Sequence, residues 1–259
     1  MNQASQLPRM RLHRYIAHCG YCSRRRAELL IEAGRVDVNR KVVRVVGSIV
    51  NPARDEVRIN GEPITPPAPL TILFNKPPNV ITSTHDTHNR LTVMDLLPKS
   101  ILDRGVLPVG RLDLDTEGLL ILTNDGDLSH RITHPSFETE KEYDATVASR
   151  PRQSDLERLE KGVRIEDGLT APARILSVKP VGNATRIKVV IHEGKKRQVR
   201  RMFEVIGHIV SRLQRVRIGK LELGELKATE WRELSEEEIR GLTETGTGKR
   251  PAKDPPQEV

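Results

Sequence analysis

Aromatic side chains are scarce in this 259-residue chain: three phenylalanines, three tyrosines and one tryptophan make up 3% of it. That scarcity argues against a broad platform on which successive nucleobases would stack, although one well-placed ring suffices for a single base. Cysteine is scarcer still. With only Cys19 and Cys22, a disulfide framework is excluded and a reducing compartment fits. The two stand in a Cys-Gly-Tyr-Cys spacing with His13 and His18 nearby, but no second ligand pair follows and no βαβ pattern surrounds them. They are read as small helix-end residues rather than a zinc or redox site. Long apolar runs are missing as well. Stretches such as Leu119–Leu122 break after a few residues, far short of the ~20 needed to span a bilayer. No segment resembles a signal peptide, so a cytoplasmic protein without a membrane partner is expected.

Positive charge is what the chain has, and it is unevenly placed. The formal charge is +8, yet residues 1–65 hold twelve Lys/Arg against six Asp/Glu and residues 186–217 hold ten against two. The remainder is therefore net acidic. Two basic surfaces on an acidic body point to a polyanion gripped at two places, which makes nucleic acid the first candidate partner.

Local signals divide the chain. Leu12, Tyr15 and Ile16 recur at helical spacing, and Gly20 closes that segment. Ser23 reads as the N-cap of a second helix whose apolar face is Ala27, Leu30 and Ile31, ended by Gly34. Short strands are expected at 36–38, 42–46 and 56–59, the last running into an Asn60-Gly61 turn. Four prolines in PITPPAPL, residues 63–70, mark a stiff linker between a domain at 9–62 and one at 71–242. In the larger domain strands are expected at 71–75, 119–123, 142–149, 173–179, 185–192 and 209–218. Helices are expected at 92–97, 127–133, 154–161, 195–206 and 235–242, the last opened by a Ser-Glu-Glu-Glu capping box. This mixture without strict alternation predicts an α+β fold with a mixed, largely antiparallel sheet flanked by helices. The Gly/Pro/charge-rich residues 243–259 are expected to be disordered.

Three stretches carry chemistry. In GRLDLDTEGLLILTNDG, residues 110–126, the run Leu119–Leu122 reads as a buried strand and Thr123–Gly126 as a turn that accounts for Asp125. Upstream, Arg111 and Asp113 share one parity and Leu112 and Leu114 the other. If extended, the leucines anchor the backbone and hold Asp113 rigidly beside the strand. The bland alternative is a solvated acidic loop, and Asp113-Leu114-Asp115 also has a D-x-D form that can hold a metal on a nucleotide. In HEGKKRQVRRMFEVIGH, residues 192–208, Val199, Met202, Phe203 and Ile206 form a core-facing helix side. The opposite side carries Lys195, Lys196, Arg197, Arg200 and Arg201, either a solvated face or a phosphate grip that also sends one arginine to a carboxylate. In KEYDATV, residues 141–147, Tyr143 sits in an expected strand, as core or as a ring facing a base.

These residues resemble the bacterial ribosomal pseudouridine synthases of the RsuA/RluB branch. GRLDLDTEGLLILTNDG resembles that family's aspartate signature, LFNKPPNVITS at 73–83 its first motif, EKEYDATV at 140–147 its tyrosine motif and EGKKRQVRRMFEVIGH at 193–208 its basic motif. RLHRYIAHCGYCSRRRAELLIEAGRVDVN resembles the S4-like (αL) RNA-binding module that precedes the catalytic domain. The resemblance implies an isomerase that turns uridine into pseudouridine in ribosomal RNA or a pre-ribosomal particle. It implies no cofactor and no metal, and a monomer. It places the catalytic aspartate on Asp113, an arginine that holds the flipped nucleotide on Arg111, the active-site tyrosine on Tyr143 and the arginine that pairs with the aspartate on Arg200. Ser23, Arg24, Arg25 and Arg35 fall where the module meets RNA phosphates, and Lys196, Arg197 and Arg201 are further RNA-binding candidates. Asn79 replaces the glycine usual in the first motif, and the turn is expected to survive because Asn tolerates left-handed backbone. Segments 133–143 and 162–175 look closest to the large-subunit, RluB-like members. The alternatives are a small-subunit RNA substrate, a silent S4-type assembly factor or a metal-dependent transferase.

Overall fold

The computed structural model describes residues 8–243, so all but the first residue of the expected disordered tail lies outside the described residues. The chain divides into two compact units. One comprises residues up to Leu70 with Pro98–Leu107 and Thr123–Gly126; the other comprises Thr71–Leu97, Pro108–Leu122 and the chain from Asp127 onward.

In the first unit, helices α1 (Leu12–His18) and α2 (Arg24–Glu32) bury one apolar face each. Leu12, Tyr15, Ile16, Ala27, Leu30 and Ile31 form its core with Val36, Val50, Val57 and Ile59. Ser23 caps α2 as expected, its hydroxyl accepting the Arg26 N–H at 3.3 Å. A small antiparallel sheet follows, of β1 (Val36–Val38), β2 (Lys41–Val42), β3 (Val57–Ile59) and β4 (Glu62–Ile64). Asn60 and Gly61 both take positive φ, 54° and 87°, the two-residue turn that suits a twisted hairpin. The strand expected at 42–46 is cut to Lys41–Val42. Beyond Ile64 the proline-rich segment is stitched down: Ala68 O accepts from Arg104 and Asn124, while Asn124 Oδ1 takes the Leu70 N–H at 2.8 Å. Cys19 lies against Tyr15, and burial pushes its thiol up to about 12.

The second unit is built on β5 (Thr71–Lys76), β6 (Thr116–Thr123), β7 (Lys141–Val147), β8 (Arg174–Val181), β9 (Ala184–Ile191), β10 (Val210–Ile218) and β11 (Trp231–Glu233). Their spatial order is β8-β9-β7-β10-β6-β5-β11. The pairings β8–β9, β9–β7, β7–β10 and β5–β11 are antiparallel and β6–β10 is parallel. The sheet is thus mixed, as expected of an α+β fold. Every residue of β5 is buried, its apolar centre Ile72–Phe74 together with the polar Thr71, Asn75 and Lys76 at its ends. Helices α3 (Gly126–Thr133), α4 (Gln153–Lys161), α5 (Gln198–Val205) and α6 (Glu236–Thr243) accompany the sheet. The capping box of α6 is present: Glu238 N–H donates to Ser235 Oγ at 3.2 Å and Ser235 N–H to Glu238 at 3.0 Å.

Two helices differ from expectation. Residues 92–97 tighten to a 3₁₀ turn at Met94–Leu96, because the Asp95 carboxylate takes both the N–H and the hydroxyl of Thr92 at 2.8 Å. The helix expected from Lys195 begins only at Gln198. Arg197 is left-handed, φ 50°, and the Gln198 side chain holds the Lys195 N–H at 2.9 Å. Lys195, Lys196 and Arg197 therefore precede the helix rather than line its outer face.

Candidate active site

Asp113 lies half-buried on the loop that enters β6, and almost everything about that loop is fixed through its backbone. Thr82 Oγ1 donates to Leu112 O at 3.0 Å and accepts the Leu112 N–H at 3.3 Å. Asp113 O accepts the Thr116 N–H at 3.1 Å, closing a turn. Leu114 O takes the Asn79 N–H at 2.7 Å and the Lys76 ammonium at 3.2 Å. Arg200 Nη2 donates to Asp115 O at 2.8 Å, and Lys76 Nζ to Thr116 O at 2.8 Å. Five consecutive carbonyls thus each have a donor, which ties this stretch of backbone to the elements around it.

Asn79 makes its bond with φ +63°, so the expected left-handed turn stands with Asn in the glycine's place. The expected pair of leucine anchors is half right. Leu112 is buried, but Leu114 sits in the turn and is 44% exposed.

Lys76 is a functional residue that sequence reasoning missed. It is fully buried and also donates to Pro77 O at 3.0 Å. Burial pushes its ammonium down to about 8, against the opposing charges of Asp113, Asp115 and Glu117. The signal available was a lysine directly after the apolar run Ile72–Phe74 and Asn75, just before two prolines.

Arg200 corrects an expectation. The resemblance pairs it with Asp113, but its guanidinium closes on the neighbour. Nη1 donates to Val210 O at 2.8 Å, Nη2 to Asp115 O, and Nε faces Asp115 Oδ2 at 3.2 Å as a charge contact. With its nitrogens so placed, Arg200 reaches Asp113 only as a charge. Arg197, thrown forward by its left-handed backbone, clasps Asp115 with two hydrogen bonds of 2.9 and 3.0 Å. Burial alone would raise the Asp115 carboxyl, but the Arg197 bonds and the charges of both arginines hold it below its ordinary value. Asp115 is therefore the group that gathers two guanidinium groups beside Asp113.

Tyr143 lies buried on β7. Its neighbours Glu142 and Asp144 point to the opposite face, where they meet Arg217, Lys188 and Arg186, so alternation puts Tyr143 with Lys141 and Ala145. Its cross-strand partner on β10 is Arg215, whose own partner on β6 is Gly118. Tyr143 thus stands two strand spacings, ~10 Å, from the strand that Asp113's loop feeds. Gly118 is required there: at φ +104°, a Cβ would lie 2.3 Å from Arg215 O.

The remaining candidates divide. Arg111 and Lys196 are exposed, as are Arg24 and Arg25 in the first unit. Arg35 is tied to Asn60 Oδ1 at 2.7 Å. Arg201, expected on a phosphate-gripping face, is instead engaged by Glu166 and Asp167 at 2.8 Å each.

The family model for RNA pseudouridylate synthases matches residues 70–205, which carry the sheet and the braced aspartate loop, and the S4 domain model matches 10–57. The chain belongs to the RNA pseudouridylate synthase family. It is 43% identical over 234 residues to the ribosomal large subunit pseudouridine synthase B of Bacillus subtilis, covering 90% of this chain and 95% of that one. A Vibrio cholerae protein of the same name is 38% identical, over 90% of this chain and 74% of that one. A crystal structure of a pseudouridylate synthase superposes with a TM-score of 0.65 at 30% identity, covering 90% of this chain and 99% of that one. Among the described residues no helix is long and apolar enough to cross a membrane.

Proposed function

We propose that the protein isomerises a uridine of large-subunit ribosomal RNA, in the cytoplasm and as a monomer, with Asp113 as the reacting carboxylate. The observation that carries this reading is the loop at 112–116, which presents the half-buried Asp113 carboxylate on a backbone with every carbonyl bonded, while the arginines engage its neighbour Asp115. The N1–C1′ bond breaks, the uracil turns, C5 joins C1′, and the proton lost from C5 is matched by one gained at N1. Nothing is oxidised and nothing hydrolysed, so an ionised carboxylate at the sugar–base junction is the group the rearrangement needs. Lys76, Arg197 and Arg200 all stand close enough to Asp113 to interact with it as charges. Tyr143 gives the loosened uracil a ring to lie against, and Arg111 helps hold the flipped nucleotide. Flipping costs a few kcal/mol, which phosphate contacts at Arg24, Arg25 and Lys196 help to offset. The segment 63–70 joins this catalytic domain to the RNA-binding module.

A pseudouridine map of both ribosomal RNAs from cells lacking the protein tests the substrate. One site missing from the large-subunit RNA is expected. A missing site in the small-subunit RNA, or no missing site, overturns the assignment. A second expectation concerns Asp115. Asp115→Asn removes a partner that is 41% exposed, so the melting temperature should barely move. Turnover should nevertheless fall on the order of 10²-fold, because two guanidinium groups beside Asp113 lose their anchor. A variant with unchanged turnover would reduce Asp115 to a surface ion pair.

A further inference from the structure

A cluster of rings outside the catalytic loop has no part in the chemistry so far described. His130, near the end of α3, and His134, one turn on, lie with ring centroids 4.7 Å apart and planes tilted by 34°. Phe137 meets both edge-on, at 6.0 Å and 85° and at 6.3 Å and 79°. Both histidines are exposed and Phe137 is half-buried. The cluster joins two of the chain's eight histidines to one of its three phenylalanines.

The cluster is held firmly. His134 N–H continues the helix by donating to His130 O at 2.9 Å. Its Nδ1 meets the Ser136 hydroxyl at 2.7 Å and accepts the Ser136 N–H at 3.3 Å. Glu138, at φ 47°, then turns the chain back toward β7.

Its position is equally defined. Thr133 Cγ2 lies 3.4 Å from where a Cβ on Gly110 would stand, and Gly110 immediately precedes Arg111 and Asp113. At the other end, Thr139 O takes the Lys141 ammonium at 3.1 Å, and Lys141 opens the strand of Tyr143. The rings therefore sit on the connection between the two segments that carry Asp113 and Tyr143. The guanidinium groups of Arg131 and Arg111, both exposed, add positive charge suited to phosphate.

We propose that His130, His134 and Phe137 form a stacking step for an unpaired nucleobase of the substrate RNA next to the uridine being isomerised. Extruding one nucleotide strips its neighbours of a stacking partner, and an exposed ring step at the mouth of the site replaces it. The step is a specificity surface: it favours targets whose neighbour is unpaired, through binding rather than chemistry. This inference rests on the reading of Asp113 as the reacting centre.

The test uses the full-length protein and an RNA hairpin bearing the uridine identified by the map, with each flanking nucleotide in turn replaced by an abasic one. His130→Ala and His134→Ala are expected to raise KM ~10-fold each on the intact hairpin, the effect usual for losing one base stack, with kcat little changed. On the hairpin lacking the stacked base the same variants should show no further loss, and His134→Phe should restore the intact-hairpin KM. Equal losses on intact and abasic RNA, or no loss on either, overturn the proposal. Failure of the underlying reading would look different: turnover would then survive Asp113→Asn, whatever the ring variants do.

Discussion

Asp113→Asn is expected to fold at wild-type stability, bind RNA and make no detectable pseudouridine, a loss of ~10⁴-fold or more. The substitution keeps the shape of the side chain and removes only its charge. The bonds that hold the loop are made elsewhere: by the backbone of residues 112–116, by Thr82, by Lys76 and by Arg200. None of them uses the Asp113 carboxylate, so the loop should stay where it is. An unchanged melting curve together with unchanged RNA affinity would therefore isolate the missing charge as the cause. Release of tritium from 5-tritiated uridine in the RNA reads turnover directly, because C5 loses its hydrogen when the new bond forms. Substantial turnover in this variant would transfer the reacting role to another group.

Lys76→Met is expected to have the largest effect on stability. Methionine fills much of the space but donates no hydrogen bond, so Pro77 O, Leu114 O and Thr116 O each lose a donor. At ~1–2 kcal/mol for each lost bond, the loss should reach about 3–5 kcal/mol, read as a lowered denaturant midpoint. Turnover should fall with it, since Asp113 then rides on a loosened loop. The pH dependence supplies an independent check. Burial holds Lys76 at about 8 in the folded protein, below its ordinary 10.5. Between those values the unfolded chain keeps a proton that the folded chain has released. The wild type should accordingly gain stability relative to Lys76→Met as pH rises from about 8 toward 10.5. A difference that stays flat across that range would mean the lysine is not buried as a cation.

Much of the architecture is legible locally because its causes are local. Ser23 and Ser235 announce helix starts, Asn60-Gly61 announces a hairpin, and the apolar run at 119–122 announces a buried strand, since in each case the bonding partners lie within a few residues. The family resemblance carries Asp113, Tyr143 and Arg200 to plausible positions, but the partner of an arginine is not a local property. Arg197 and Arg200 reach Asp115 across 82 and 85 residues, and which of two nearby carboxylates they meet depends on how α5 is set against the entry to β6. Lys76 illustrates the same limit. Periodicity places a lysine at the end of a strand, and only the fold shows that its Nζ faces three carbonyls. Arg201 looked like one more phosphate contact because Glu166 and Asp167, more than 30 residues earlier, could not be seen to approach it.

The fully bonded loop has a consequence for how such an enzyme can be altered. Its backbone is shared property of residues 76–82, 112–116 and 200, so transplanting any one stretch from a relative would strand bonds in the other two. Leu114 escapes this constraint: its carbonyl is held twice over, while its side chain stands out from the turn one residue beyond Asp113. Position 114 can therefore change size or polarity without the scaffold registering it.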